Sequence, residues 1–262
     1  MRIFSYGGGV QSFAALVLAA QGALDGCTTF VMSNVGDDSE MPATLQHFRT
    51  IALPYAEAHG LQLVEVARTW KDKRPRSIYK DLVEHPTAIP IPVRNADGVP
   101  FQRNCTRDYK VDVIHAWLRR QGVKKTDPAH VGLGISLDEY QRANSNSYSP
   151  LMLNWYPLLD RRLTRQDCVN TITRAGLPVP PKSACWFCPF TRMSEWHRMK
   201  QEQPGLFAQA VVLERDINVK LAGRGKRPVF LTGTGKYLDD VVGDQALMDF
   251  DGDMCESGHC MT

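Results

Sequence analysis

The chain has 262 residues, 43% hydrophobic and 23% charged, a balance that excludes global disorder and allows one large core or one domain with a substantial appendage. A formal charge of +3 permits an anionic ligand or a nucleic acid but demands neither. No apolar run is long enough to cross a bilayer as a helix.

Met1 leads directly into a strand-like run, without the charged prefix, apolar core and cleavage site of a secretory leader. A cytoplasmic location is therefore expected. Seven cysteines, an odd number, suit a reducing compartment better than a fully paired framework.

Residues 2–6 read as a strand, Gly7-Gly8-Gly9 as a turn, and the alanine-rich run from about Ser12 as a helix. A second strand is expected over 28–34, followed by an acidic segment with Asp37 and Asp38. Pro42 suits a helix start, and His59-Gly60 its stop. Residues 61–67 form a third strand. This alternation predicts an α/β fold, an open, mostly parallel twisted sheet with helices on both faces. From about 70 to 105 the chain is rich in Lys, Arg, Pro and Asn and reads as a basic surface insert. Its run from Lys71 through Arg76, with Tyr79 and Lys80, suits a nucleic-acid backbone or equally a solvated loop.

A helix is expected over 107–121, with Tyr109, Val113 and Trp117 on one face, and a strand over 131–136. Asp138, Glu139 and Arg142 follow that strand's C-terminal end, the edge where open α/β sheets place ligands. Beyond 150 come short apolar runs, a helix after Leu163, an irregular proline-bounded segment around Cys185, mainly helix over 191–220, and a last strand at Pro228–Gly233. The expected division is an α/β domain over 1–160 carrying the insert and a mainly helical part over 161–262 packed on it.

Strand, three glycines and helix form a candidate phosphate site. Glycine lets the backbone approach a ligand closely, and the helix N-terminus offers free N–H groups and a favourable dipole. Ser12 adds a hydroxyl. The segment is neither a Walker loop nor a dinucleotide fingerprint, because the G-K-[ST] ending and the late glycine are absent.

Gly7-Gly8-Gly9-Val10-Gln11-Ser12 resembles the S-G-G-x-D-S loop of the PP-loop ATP pyrophosphatases and the related phosphoadenylyl-sulfate reductases. Ser5 and Gly7 depart from strict matches, and Gln11 replaces the usual acidic residue. Glu40-Met41-Pro42-Ala43-Thr44 resembles the reductase-like E-x-P-x-T helix start, and Gly134 to Glu139 with Arg142 its G-[IL]-R-x-x-E-S-x-x-R loop. Pro157, Leu158, Asp167 and Leu177-Pro178 follow the next family segment, so the resemblance spans about residues 1–200.

The resemblance implies an adenine nucleotide alpha-hydrolase-like fold that binds ATP. It assigns Ser5, Gly7, Gly8, Gly9, Val10, Gln11 and Ser12 to the phosphates, Ser33 and Asn34 to adenine or ribose, and Gly134 to a close approach. Glu139 and Arg142 would orient phosphates, and Asp37 with Asp38 would hold Mg²⁺. Ser12, Asp37, Cys105, Glu139 and Arg142 form the expected catalytic set.

Cys185 and Cys188 have C-x-x-C spacing, which suits zinc, an iron–sulfur cluster or disulfide chemistry. Cys105, between Arg103 and Arg107, is the expected third member. Cys27 reads as core, and Cys168 as a buried small hydrophobe with a fourth-ligand role as the alternative. Cys255 and Cys260, with His259 between them, read as a tail or a zinc site. A distant cysteine completing a C-x-x-C pair resembles the three-cysteine [4Fe–4S] arrangement of ATP-dependent tRNA sulfur-transfer enzymes, with zinc as the alternative. Within the family, the nearest resemblance is to the ATP pyrophosphatase of DNA phosphorothioation systems. That implies cleavage of ATP to AMP and pyrophosphate, a cysteine desulfurase as sulfur donor and DNA as acceptor, reached directly or through partner proteins, with a homodimer allowed. The alternatives are a tRNA sulfurtransferase, a sulfonucleotide reductase using Cys255 or Cys260, and a nucleotide-binding adaptor.

Overall fold

The computed structural model describes residues 1–70, 72–144 and 147–243. Lys71, Cys255, His259 and Cys260 lie outside the described residues.

Strands β1 (Arg2–Tyr6), β2 (Thr29–Asn34), β3 (Gln62–Ala67), β4 (Ala129–Gly132) and β5 (Met152–Trp155) form one sheet in the order β3-β2-β1-β4-β5. Every pairing is parallel, with Ile3 of β1 opposite Thr29 on one side and Val131 on the other. Successive strand side chains point to opposite faces, and β1 uses both. Phe4 and Tyr6 join a core with Phe13 and Leu16 of helix Val10–Ala20, Phe48, and Ile172 of helix Arg165–Arg174. Ile3 joins a second core with Val31 and with Ile114, Trp117 and Leu118 of helix Asp112–Arg120. The parallel sheet is thus flanked by helices on both faces, as the alternation predicted.

The helix expected from Pro42 toward His59 forms over Pro42–Ala58, with a π-helical stretch at Phe48–Ala52. Arg107–Val111 is also π-helical before the α-helix at Asp112, and Tyr109, Val113 and Trp117 are buried as expected. Two expectations are corrected. Strand β4 ends at Gly132, because the chain leaves the sheet there toward Ser136. Pro228–Gly233 is no strand: Phe230 makes only an isolated antiparallel bridge with Arg94.

The chain divides into two compact units, at other positions than the expected boundary at 160. The first comprises Met1–Pro75 and Thr106–Ala184, and so contains the whole sheet. The second combines Arg76–Cys105 with the described chain from Cys185 to 243. The basic insert is therefore not merely a loop: it contains helix Ile78–Glu84, N-capped by the Ser77 hydroxyl, which accepts from Lys80 N at 3.0 Å. Lys220 donates to the carbonyls of Leu82 and Val83 at that helix's other end, where a cation suits the dipole.

The rest of the second unit is built on helices Met193–Glu202 and Pro204–Ala222. Buried Glu214 and Asn218 organise the segment after them. Glu214 accepts from Leu231 N at 2.7 Å and Leu238 N at 2.6 Å. Asn218 donates to Val229 O and accepts from Val229 N, both at 2.8 Å. Satisfied buried polar groups of this kind fix the path of a chain that has no regular structure of its own. Among the described residues no helix is long and apolar enough to cross a membrane.

Candidate nucleotide site and cysteine turn

Strands β1 and β4 are neighbours, yet the chain proceeds from β1 outward through β2 and β3, and from β4 outward to β5. The connections diverge at this point, which opens a crevice at the strands' C-terminal ends. Gly7–Gly9 leave β1 there, and Gly134–Ser136 leave β4.

Gly8 has φ +77°, and a Cβ on it would lie 2.9 Å from Thr44 Cγ2. Only glycine fits without displacing the start of helix Pro42–His47. Gly9 is the N-cap of helix Val10–Ala20, and its carbonyl accepts from Phe13 N at 3.0 Å and from the Ser12 hydroxyl at 2.9 Å. No side chain caps that helix and no acidic residue stands in its first turn. Its leading N–H groups and positive dipole end therefore remain for an anion. Ser5 and Ser12 are buried.

Gln11 ties this turn to the loop after β4. Its Nε2 donates to Glu139 Oε2 at 3.2 Å and to Ser136 Oγ at 3.4 Å, while its Oε1 accepts from Arg165 at 3.1 Å. Arg142 pairs with Glu139 at 2.7 Å. A Cβ on Gly134 would stand 3.4 Å from both Gln11 Cβ and Ser12 N. The loops after β1 and β4 are thus in close approach, and Gly134, Glu139 and Arg142 are brought together with Gln11. The geometry also explains the departure at position 11: a carboxylate there would face the Glu139 carboxylate, whereas an amide donates to it.

The acidic segment after β2 forms a separate network. Asn34 donates to Asp37 at 2.7 Å and to Glu65 at 2.5 Å. Arg49 grips both Asp37 oxygens, at 2.7 and 2.8 Å, and this bidentate bond is the main reason the Asp37 carboxyl is held below its ordinary range. Asp38 accepts from the Ser39 hydroxyl at 2.9 Å. Ser33 donates to the Tyr109 carbonyl at 2.5 Å. Asp37 is therefore ionised but already neutralised by arginine, so this arrangement does not fit a Mg²⁺ site without displacing Arg49. Glu40 is buried beside Ser183, whose hydroxyl donates to it at 3.3 Å, and burial raises its pKa.

In the second unit, Cys188 N donates to Cys185 O at 3.1 Å, closing the C-x-x-C turn. Trp186 and Phe187 meet edge to face at 4.6 Å, and Tyr79 packs on both. Cys105 N donates to Pro90 O at 2.7 Å. Arg94 donates to Pro189 O at 3.2 Å and lies over the Phe190 ring, as Arg103 does. Burial lowers the Arg94 pKa, and attraction to Cys188 opposes that shift. Arg94 is thus within electrostatic range of that sulfur. Among the described residues no three His, Cys, Asp or Glu side chains are grouped to hold a metal ion. Cys27 and Cys168 are buried as expected, and burial pushes each thiol up to about 12.

Sequence reading missed Arg94, Ser136, Arg165 and Ser183. The bond from Arg165 to Gln11 spans 154 positions, and no local pattern announces such a partner. Neither the protein-family models nor the curated proteins compared with the chain give a match.

Proposed function

We propose that this protein is an ATP pyrophosphatase of the PP-loop type that activates an acceptor by adenylation for sulfur incorporation, with the DNA backbone as acceptor. The observation that carries the reading is the glycine turn after β1 at the switch point of the sheet, joined through Gln11 to the Glu139–Arg142 pair after β4. An uncapped helix end and an arginine held by a carboxylate are what a triphosphate needs: donors, positive charge and orientation.

An acceptor oxygen attacks the α-phosphorus of ATP, the bond to the β-phosphate oxygen breaks, and pyrophosphate leaves. A sulfur nucleophile then displaces AMP. The Val10, Gln11 and Ser12 N–H groups meet phosphate oxygens, and Arg142 offsets their charge. Gly8 lets the turn lie close against Thr44 of helix Pro42–His47. A cysteine desulfurase loads a persulfide on one of the thiols Cys105, Cys185 and Cys188. Its outer sulfur bonds to the activated acceptor as AMP leaves, a second of these thiols attacks the inner sulfur and breaks the S–S bond, and an external thiol reductant returns the resulting disulfide to the dithiol. Mg²⁺ would neutralise the polyphosphate charge when bound, while zinc or a [4Fe–4S] cluster would add sulfur-binding metal sites.

The test is ATP turnover with single-stranded DNA, duplex DNA and tRNA, each with Mg²⁺, a cysteine desulfurase and cysteine. AMP and pyrophosphate with labelled sulfur in the DNA support the reading. Sulfur in tRNA moves the acceptor. ADP as product, or no turnover with any acceptor, sinks it.

A further inference from the structure

The second unit contains a cavity of about 600 Å³ that none of the site residues above fills. Its volume falls in the roughly 300–1,000 Å³ range of small-ligand sites. All of its lining belongs to the second unit.

One wall is a small hairpin, in which Phe101 N donates to Val93 O at 2.8 Å and Asn95 N to Val99 O at 3.0 Å. The Asn95 side-chain oxygen accepts from Asp97 N at 3.0 Å and from Val99 N at 2.9 Å. Gly98, at φ +77°, lies so close to Gly233 that a Cβ would stand 2.3 Å from the Gly233 carbonyl oxygen. Arg94 donates to Gly98 O at 2.8 Å from the outside of the same turn. This wall is built and braced. Ile89, Ile91, Val93 and Phe101 line the cavity from this side, and Phe101 is 54% exposed.

Another part of the lining has a different chemistry. Helix Pro204–Ala222 ends in a turn carrying Arg224, Lys226 and Arg227, all of which line the cavity and are exposed. Among the described residues none of the three is paired with a carboxylate. The lining holds those three cations and one carboxylate, Asp97. Gln102 and Asn104 add amides that both donate and accept.

An apolar wall with an exposed aromatic ring, amides at its edge and a cationic lip describe a ligand with a flat ring at one end and an anion at the other. We propose that this cavity binds a nucleotide, its base against Phe101 and its phosphate at Arg224, Lys226 and Arg227. The nucleotide comes either as a free mononucleotide or as one unit of a single strand. The proposal goes beyond the glycine-turn reading and stands whether or not ATP binds there.

The experiment is fluorescence anisotropy of a labelled single-stranded DNA oligonucleotide on the intact protein, with adenosine monophosphate as competitor. Phe101→Ala, an exposed substitution, weakens binding roughly five- to hundredfold, the range for losing one stacked base. Combined Arg224→Ala, Lys226→Ala and Arg227→Ala weakens it further and lowers the salt dependence by about 0.7 log units of affinity per log unit of salt for the one backbone phosphate they hold. Displacement by the mononucleotide in these assays identifies a free-nucleotide site, and binding of the strand without displacement identifies a strand site. Unchanged affinity in Phe101→Ala overturns the proposal even if the cations matter, because charge alone then explains the binding. Retained oligonucleotide binding in a protein without ATP turnover separates failure of the glycine-turn reading from failure of this one.

Discussion

Around the glycine turn, Arg165, Gln11, Glu139 and Arg142 are joined in that order by hydrogen bonds, and Arg49 pairs with Asp37. At the lip of the second unit's cavity, Arg224, Lys226 and Arg227 stand exposed with no such partner among the described residues. A ligand at the first place finds free helix N–H groups but shares its side-chain partners with a network already bonded, which favours selectivity. A ligand at the second finds unneutralised charge, which favours attraction that salt weakens.

The most damaging change is expected at the turn itself. Gly8→Val places a β-branched residue at φ +77° against Thr44, a strain plus overpacking of roughly 2–5 kcal/mol. A lowered melting temperature and lost ATP turnover are expected, and a variant with native stability and turnover breaks the account of this corner. Next is Glu214→Gln in the second unit. Glu214 receives two backbone N–H groups, and an amide can accept only one of them, so a loss of about 1–3 kcal/mol is expected by urea titration. An unchanged midpoint removes Glu214 as the organiser of that unit.

The smallest effect belongs to Arg49→Ala. The pair with Asp37 is partly exposed, so its removal costs about 0–1 kcal/mol. Because Arg49 lowers the Asp37 pKa, the pair's contribution is present above the ordinary carboxylate range and is lost as pH falls through the lowered folded-state value. The variant therefore shows a shallower acid limb in a stability–pH profile. If Asp37 serves Mg²⁺, it also binds the ion more tightly by calorimetry. Weaker binding of the ion would show that Arg49 does not compete for that carboxylate.

The first unit was the more legible in sequence, for a local reason. Strand β1, three glycines and an alanine-rich helix follow one another without interruption, and each signal is carried by neighbouring residues. The four residues of β5 are too few to show a period. Of the Gln11 network, Glu139 was placed at the same site only through the family resemblance, while Arg165 and the bonds themselves join distant loops and left no local signal. In the second unit, Ile89, Ile91 and Val93 alternate with prolines, so the cavity lining they share with Leu221 and Val229 left no helical or strand-like signal. The cysteine turn was found by its spacing, whereas Arg94 beside it was hidden in the same irregular stretch.

The tie between Lys220 and the end of helix Ile78–Glu84 has a consequence for synthesis on the ribosome. Residues 76–105 belong with chain that begins only at Cys185, so they emerge long before their partners exist. The sheet unit has all its segments once Ala184 has been made, while Ile89, Ile91 and Val93 still wait. During that interval a nascent chain presents a folded sheet with an unfinished apolar loop, the stage at which vectorial folding is most exposed to chaperones and to aggregation.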